Sequence, residues 1–443
     1  MGRLFGTDGI RGVANVDLTP TLAYDLGRAL GHYVDGAGRS VVVGRDTRRS
    51  GEMLVSALTA GLTSVGTDVL DLGVVPTPCL AYVAETGEHV AGVMVSASHN
   101  PPDDNGLKVV SGGRKMDDEA EEQLEHLIFQ AEGLPGPTNA GLGRIRHDAG
   151  AVAPYREHLA GIAGDRLAGL RIGIDGANGA VSTFGPDLLR RLGAQVTTIH
   201  CEPDGTNINV GGGATDPSAL ADLVRADGLD LGFAFDGDAD RLIAITETGE
   251  VVDGDGVMGI CALERLEAGT LAERTLVVSV MSNDGLVRAV EAAGGRVIRA
   301  PVGDRHILEA MERSGAMLGG EQSGHVIFRD LAATGDGLLT AIQLVAALRA
   351  TPGTSLSTLA ARIPRLPQVV INSAVRHKDQ WQVDPLFAEA VAGATARLGS
   401  RGRILVRASG TESKLRIMVE GEEPEEIATI AQELADLATA RLN

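Results

Sequence analysis

The chain has 443 residues, 44% of them hydrophobic and 22% charged, with a formal net charge of −20. That length accommodates two to four domains with cores of their own, and a mean hydropathy of +0.07 fits a soluble globular protein. The acidic balance excludes a general nucleic-acid or anionic-membrane surface, yet leaves room for a locally basic cleft that takes a small anion. Lysine is confined to Lys108, Lys115, Lys378 and Lys414. Cys79, Cys201 and Cys261 lie far apart with no CxxC spacing, which fits thiols in a reducing compartment. No signal-peptide pattern and no bilayer-length apolar run is present, so a cytoplasmic location without a membrane partner is expected.

The opening Phe5-Gly6-Thr7-Asp8-Gly9-Ile10-Arg11-Gly12 packs glycines around one arginine and by itself reads equally well as a surface turn. Val41-Val42-Val43 runs into the polar turn Gly44-Arg45-Asp46-Thr47-Arg48; a helix over about 51–65 and a strand over 66–70 follow. This strand–helix–strand unit recurs at 170–196 and again at 275–298. Three copies predict three similar tandem α/β domains with mostly parallel mixed sheets.

Each copy then has an apolar run that breaks into an unusual polar loop. Val93-Met94-Val95 leads to Ser96-Ala97-Ser98-His99-Asn100-Pro101-Pro102, Leu231 to Phe235 leads to Asp236-Gly237-Asp238-Ala239-Asp240-Arg241, and Ala316 to Gly319 leads to Gly320-Glu321-Gln322-Ser323-Gly324-His325. A shared plan would put the three loops at equivalent strand ends around one cleft, where ligands of open α/β sheets collect. The rest, with strands near 369–371, 403–406 and 415–419 and a helix over 424–441, reads as a smaller α+β domain. The expected divisions are 1–150, 151–255, 256–365 and 366–443, with Pro364 to Pro367 as a hinge.

Asp236, Asp238 and Asp240 place three carboxylates within five residues; they repel unless a cation joins them, and hard oxygen ligands suit Mg²⁺. A solvated acidic turn is the alternative. An EF-hand fails, because Arg241 stands where the sharp turn needs glycine. Ser98 is a candidate phosphoryl acceptor with Lys108 shortly downstream, although loop serines are commonly turn residues. Glu321, Ser323 and His325 suit sugar hydroxyls and proton transfer, with a polar turn as the alternative. Arg407-Ala408-Ser409-Gly410-Thr411-Glu412-Ser413, followed by Arg416, offers hydroxyls, a glycine backbone and two arginines to a phosphate; a plain hairpin loop is the alternative, and the P-loop order is absent. A covalent phosphoryl acceptor plus a distant phosphate clamp is what a phosphomutase needs, since its substrate carries one phosphate while receiving another.

From Phe5 to the last helix these motifs resemble the α-D-phosphohexomutase superfamily, and the opening and the Ser96 to Pro101 loop resemble its glucosamine branch. The resemblance implies interconversion of glucosamine 6-phosphate and glucosamine 1-phosphate, for UDP-N-acetylglucosamine synthesis, through a phosphoserine at Ser98 and a 1,6-bisphosphate. It implies Mg²⁺ on Asp236, Asp238, Asp240 and the Ser98 phosphate, one ion per subunit, with glucosamine 1,6-bisphosphate or another phosphoryl donor as activator. Arg11, Lys108, Arg241 and His325 are expected around the reacting groups, Glu321 and Ser323 on the sugar, and Arg407, Ser409, Gly410, Thr411 and Arg416 on the other phosphate. A homodimer is an expectation of the resemblance alone. A mutase for mannose or glucose phosphates is the near alternative; a Mg²⁺-dependent phosphosugar phosphatase and a non-catalytic phosphosugar-binding protein are the remoter ones.

Overall fold

The computed structural model describes residues 4–6, 9–409 and 413–443. The strands among these described residues are β1 Ile10–Val13, β2 Ser40–Arg45, β3 Asp68–Val74, β4 His89–Val95, β5 Asp104–Ser111, β6 Arg114–Lys115, β7 Ile145–His147, β8 Arg171–Asp175, β9 Gln195–Ile199, β10 Leu231–Phe235, β11 Leu242–Thr246, β12 Val251–Val252, β13 Thr275–Ser279, β14 Arg296–Ala300, β15 Leu318–Gly320, β16 Val326–Phe328, β17 Gln368–Ala374, β18 Gly402–Ala408 and β19 Lys414–Gly421.

They form four sheets, and three repeat one order. The first contains β5-β4-β2-β3, the second β11-β10-β8-β9 and the third β16-β15-β13-β14. In each, three parallel strands are bordered by a fourth that runs antiparallel. The central strands are runs of valine, isoleucine, leucine and phenylalanine buried on both faces, as strands covered by helices on both sides must be. The fourth sheet is wholly antiparallel, β17-β19-β18, and is backed by the helices Pro385–Leu398 and Pro424–Arg441. The latter helix spans the expected residues, with Glu425 and Glu426 in its first turn, where acids complement the helix dipole.

Several strand limits differ from expectation: β17, β18 and β19 extend beyond 369–371, 403–406 and 415–419 at both ends. The strand expected to end at Leu70 continues to Val74, because Leu72 also packs into the core. The third repeat's run becomes extended only at Leu318, after Gly315 closes the preceding helix in a left-handed conformation (φ 74°).

One apolar cluster runs from Val42 to Leu359 and so joins all three α/β domains. A second fills the other side of the first sheet, where the helices Pro20–Tyr33 and Ser50–Ser64 cross closely. A Cβ on Gly27 or Gly61 would lie 2.3 Å from the Leu58 carbonyl or 2.1 Å from that of Tyr24, so only glycine fits that crossing. The C-terminal domain has its own core, from Val375 to Leu442. No helix among the described residues is long and apolar enough to cross a membrane.

Candidate active site

The repeated strand order puts the three polar loops in equivalent places, each between the third strand and its antiparallel neighbour. The β4–β5 loop carries Ser98, the β10–β11 loop carries Asp236, Asp238 and Asp240, and the β15–β16 loop carries Glu321, Ser323 and His325. Ser98 is 1% exposed and donates from Oγ to Asp236 Oδ2 at 2.6 Å. A hydroxyl of the first domain therefore meets a carboxylate of the second.

The three aspartates are buried, with one carboxylate oxygen of each within 4.8 Å of the others. Asp238 Oδ1 and Asp240 Oδ1 have no hydrogen-bond partner among the described residues. Burial, then the Asp240 and Asp238 charges, hold the Asp236 carboxyl well above its ordinary range. Orphaned buried oxygens converging in a crowded carboxylate set fit a hard divalent cation.

Cationic side chains close around them. Lys108, on β5, places Nζ 2.9 Å from Asp238 Oδ2 and 3.9 Å from Asp240 Oδ2. Arg241 Nε stands 3.8 Å from Asp236 Oδ2 and 3.7 Å from Asp240 Oδ1. His325 Nδ1 lies 3.6 Å from Asp240 Oδ2. Burial opposes charging of this imidazole, but the Asp240 carboxylate outweighs it and raises the pKa to about 9. His99 behaves oppositely: burial and then Arg241 and Arg11 push it down to about 4, so a neutral ring sits with Nδ1 3.3 Å from Ser98 Oγ. Arg11 enters through Asn100, donating to its Oδ1 at 3.2 Å.

Glu321 is half-buried and accepts from the Gly303 amide at 2.9 Å, while Ser323 is exposed. The Glu321 charge also acts on Arg241 and on Arg407 of the C-terminal domain. Arg407 and Arg416 are direct register partners on β18 and β19. With Met281, Asn372 and Lys414 they line a cavity of about 280 Å³. Ser409 is buried, and its carbonyl accepts from Lys378 Nζ. Gly410 and Thr411 lie outside the described residues.

Four polar residues at this site escape a reading by motif. Thr77 donates from Oγ1 to Asp238 Oδ2 at 2.6 Å, Arg48 and Asn209 donate to the Ser98 carbonyl, and Asp46 accepts from Ser96 Oγ. Asp46 and Arg48 arrive there through the sheet: β2 and β4 are parallel neighbours with Arg45 opposite Val95, so the polar residues that follow β2 fall beside Ser96.

Three like α/β domains meeting at one buried hydroxyl–carboxylate centre, with a fourth domain carrying paired arginines, define a four-domain phosphotransfer architecture. Known proteins agree. The phosphoglucomutase/phosphomannomutase α/β/α domains I, II and III match residues 2–134, 153–249 and 253–366, and the C-terminal domain matches 370–437. Phosphoglucosamine mutase of Symbiobacterium thermophilum is 50% identical over the whole of both chains, and that of Moorella thermoacetica is 50% identical over 99% of this chain and all of its own. The crystal structure of a phosphoglucomutase/phosphomannomutase family protein from Burkholderia thailandensis superposes with a TM-score of 0.84 at 28% identity, covering 98% of this chain and 97% of that one. The chain belongs to the phosphoglucomutase/phosphomannomutase family of the α-D-phosphohexomutase superfamily.

Proposed function

We propose that the chain interconverts glucosamine 6-phosphate and glucosamine 1-phosphate, the activity of a phosphoglucosamine mutase, and so supplies UDP-N-acetylglucosamine synthesis. Ser98 is the phosphoryl carrier. Its phosphoryl group leaves Oγ and bonds to the free sugar hydroxyl, whose proton passes to a base, giving the 1,6-bisphosphate. After the sugar turns around, Oγ takes the other phosphoryl group and the leaving sugar oxygen regains a proton. Lys108 and His325 are the proton-transferring groups. Arg11 and Arg241 stabilise charge on the transferring group.

Asp236, Asp238, Asp240 and the Ser98 phosphate would hold one Mg²⁺, which when bound neutralises charge on the phosphoryl oxygens. Glu321 and Ser323 read sugar hydroxyls. Arg407, Ser409, Gly410, Thr411 and Arg416 hold the phosphate that is not reacting. Glucosamine 1,6-bisphosphate, or another phosphoryl donor, primes Ser98. Residues 1–150, 151–255, 256–365 and 366–443 work as phosphoserine, metal, sugar and phosphate units of a cytoplasmic homodimer.

The observation that carries the reading is the 2.6 Å bond from Ser98 Oγ into the buried aspartate triplet. The test is turnover of glucosamine 6-phosphate beside mannose 6-phosphate, with Mg²⁺ and a 1,6-bisphosphate, and mass mapping of phosphate on Ser98. Preference for glucosamine 6-phosphate with label on Ser98 is expected. A large preference for mannose 6-phosphate, or net release of inorganic phosphate without need of the primer, would overturn it.

A further inference from the structure

Ser98 has a left-handed backbone (φ 52°), a conformation that a residue with a Cβ keeps only when its surroundings impose it. The surroundings here are unusually complete. The Ser98 amide donates to Ser96 Oγ at 2.9 Å, and Ser96 Oγ donates to Asp46 Oδ2 at 2.7 Å. The Ser98 carbonyl accepts from Arg48 at 3.0 Å and from Asn209 Nδ2 at 2.8 Å. The carbonyl of this strained residue is thus fixed from outside the loop, and its amide by a loop hydroxyl that Asp46 anchors in turn.

Arg48 is the hub. Its side chain is 0% exposed, and Nε donates to Asp46 Oδ2 at 2.9 Å. Its two terminal nitrogens donate to the carbonyls of Ser98, Asn100 (2.8 Å), Pro101 and Asp104 (2.9 Å). One planar guanidinium therefore spans the loop from the serine to the start of β5, a fork that an ammonium group cannot reproduce. Asn209, from the second domain, repeats two of these contacts by donating to the Ser98 and Asn100 carbonyls at 2.8 and 2.9 Å. It ties the serine loop to the domain that carries the aspartates.

We infer that Arg48, seconded by Asn209, is a positioning residue for phosphoryl transfer: it holds Ser98 in the left-handed backbone that aims Oγ at the aspartate triplet. The inference rests on Ser98 being the phosphoryl carrier. A displacement of about 1 Å at a reacting atom costs about 100-fold in rate, whereas the arginine pair on β18 and β19 that faces the other phosphate is untouched by either residue. Loss of the hub should therefore slow transfer without weakening sugar-phosphate binding.

The experiment compares unsubstituted protein with Arg48→Lys, which retains a cation for Asp46 but not the fork, and with Asn209→Ala, a half-buried change that leaves the Asp46–Arg48 pair intact. Three quantities are read: the rate at which glucosamine 1,6-bisphosphate phosphorylates Ser98, the kcat and KM for glucosamine 6-phosphate, and the melting temperature. The expected result is a fall of about 100-fold in phosphorylation rate and kcat for Arg48→Lys and about 10-fold for Asn209→Ala, with KM within about twofold of the parent. Should Arg48→Lys fail to fold, Asn209→Ala decides alone. A folded variant that phosphorylates Ser98 at the parental rate, or a kcat loss matched by an equal rise in KM, overturns the inference. An unsubstituted protein that never carries phosphate on Ser98 overturns the functional reading beneath it, and this inference with it.

Discussion

The serine–aspartate centre and the C-terminal arginine face are built to opposite standards of rigidity. The first is enclosed by strands buried along most of their length, and its three domains share one continuous apolar cluster. The second sits on β18, half-buried along most of its length, and on the start of β19, where Arg416 is open to solvent although most of that strand is buried. Its domain has a separate core. The seam that joins it to the third domain is largely polar. There Glu420, 0% exposed, accepts from the Asp284 amide, Arg403 Nε and Gln368 Nε2 at 2.7–2.9 Å, while Arg288 bridges Asp284 and Glu422. Apolar interfaces lock domains together, and polar ones of this kind permit relative motion. A reaction that must turn its intermediate around needs both: a fixed place for transfer, and a clamp that can accept a phosphate from either end of the sugar.

The strongest test of the fixed side is Ser98→Ala, which should abolish label on residue 98 and lower turnover on the order of 10⁴-fold or more, as removal of a covalent carrier does. Retained turnover would mean that the buried centre is not where transfer occurs. Chelation comes next. Dialysis against EDTA should stop turnover, and adding back Mg²⁺ should restore it and raise the melting temperature with concentration; the Asp238→Asn, Asp240→Asn double variant should lose that thermal response. The C-terminal side is tested by Arg416→Ala. Losing a charge-assisted bond to a phosphate costs about 1.5–3 kcal/mol, so KM for glucosamine 6-phosphate should rise by about 10- to 100-fold. Phosphorylation of Ser98 at saturating bisphosphate should change far less. Equal loss of both would erase the distinction between the two regions.

How much of this was legible in the chain follows from the same contrast. The three apolar runs and their polar loops were visible because each repeat concentrates its signal in about ten consecutive residues, and the strand order then brings the loops together. Ser98, the aspartates and His325 fall in those stretches, and Lys108 follows one of them closely. Arg48 and Asn209 do not: their work is to satisfy backbone carbonyls of another segment, and a carbonyl leaves no mark on the residue type that bears it. Thr77 is silent for a similar reason, since a threonine beginning a helix reads as an ordinary turn residue until Asp238 is placed against it. The polar seam was equally hidden, because Glu420 sits in a strand pattern and two of its three partners, Asp284 and Gln368, lie more than fifty residues away.

The smallest effect expected concerns the connection between the two regions. Asp255 is buried and accepts from the Asn283 amide at 2.8 Å, and the Asn283 side chain exchanges two 3.0 Å bonds with the Leu366 backbone in the connection to the C-terminal domain. Burial raises the Asp255 pKa from 3.8 to about 6, only partly offset by the Asn283 amide. The folded-state value lies above the unfolded one, so between about pH 4 and 6 the native protein keeps a proton that the unfolded chain has released. Stability from this group is full below the unfolded pKa, falls as pH rises through that window, and stays flat above it. Asp255→Asn keeps an acceptor for Asn283, turns an amide toward Ser282 and removes the titration. Its thermal advantage over the parent should grow between pH 4.5 and 7.5 by an amount equivalent to about 2 kcal/mol. A difference in melting temperature that is the same at both pH values would show that Asp255 stays ionised in the fold, and that this connection is held by charge rather than by a neutral hydrogen-bonded acid.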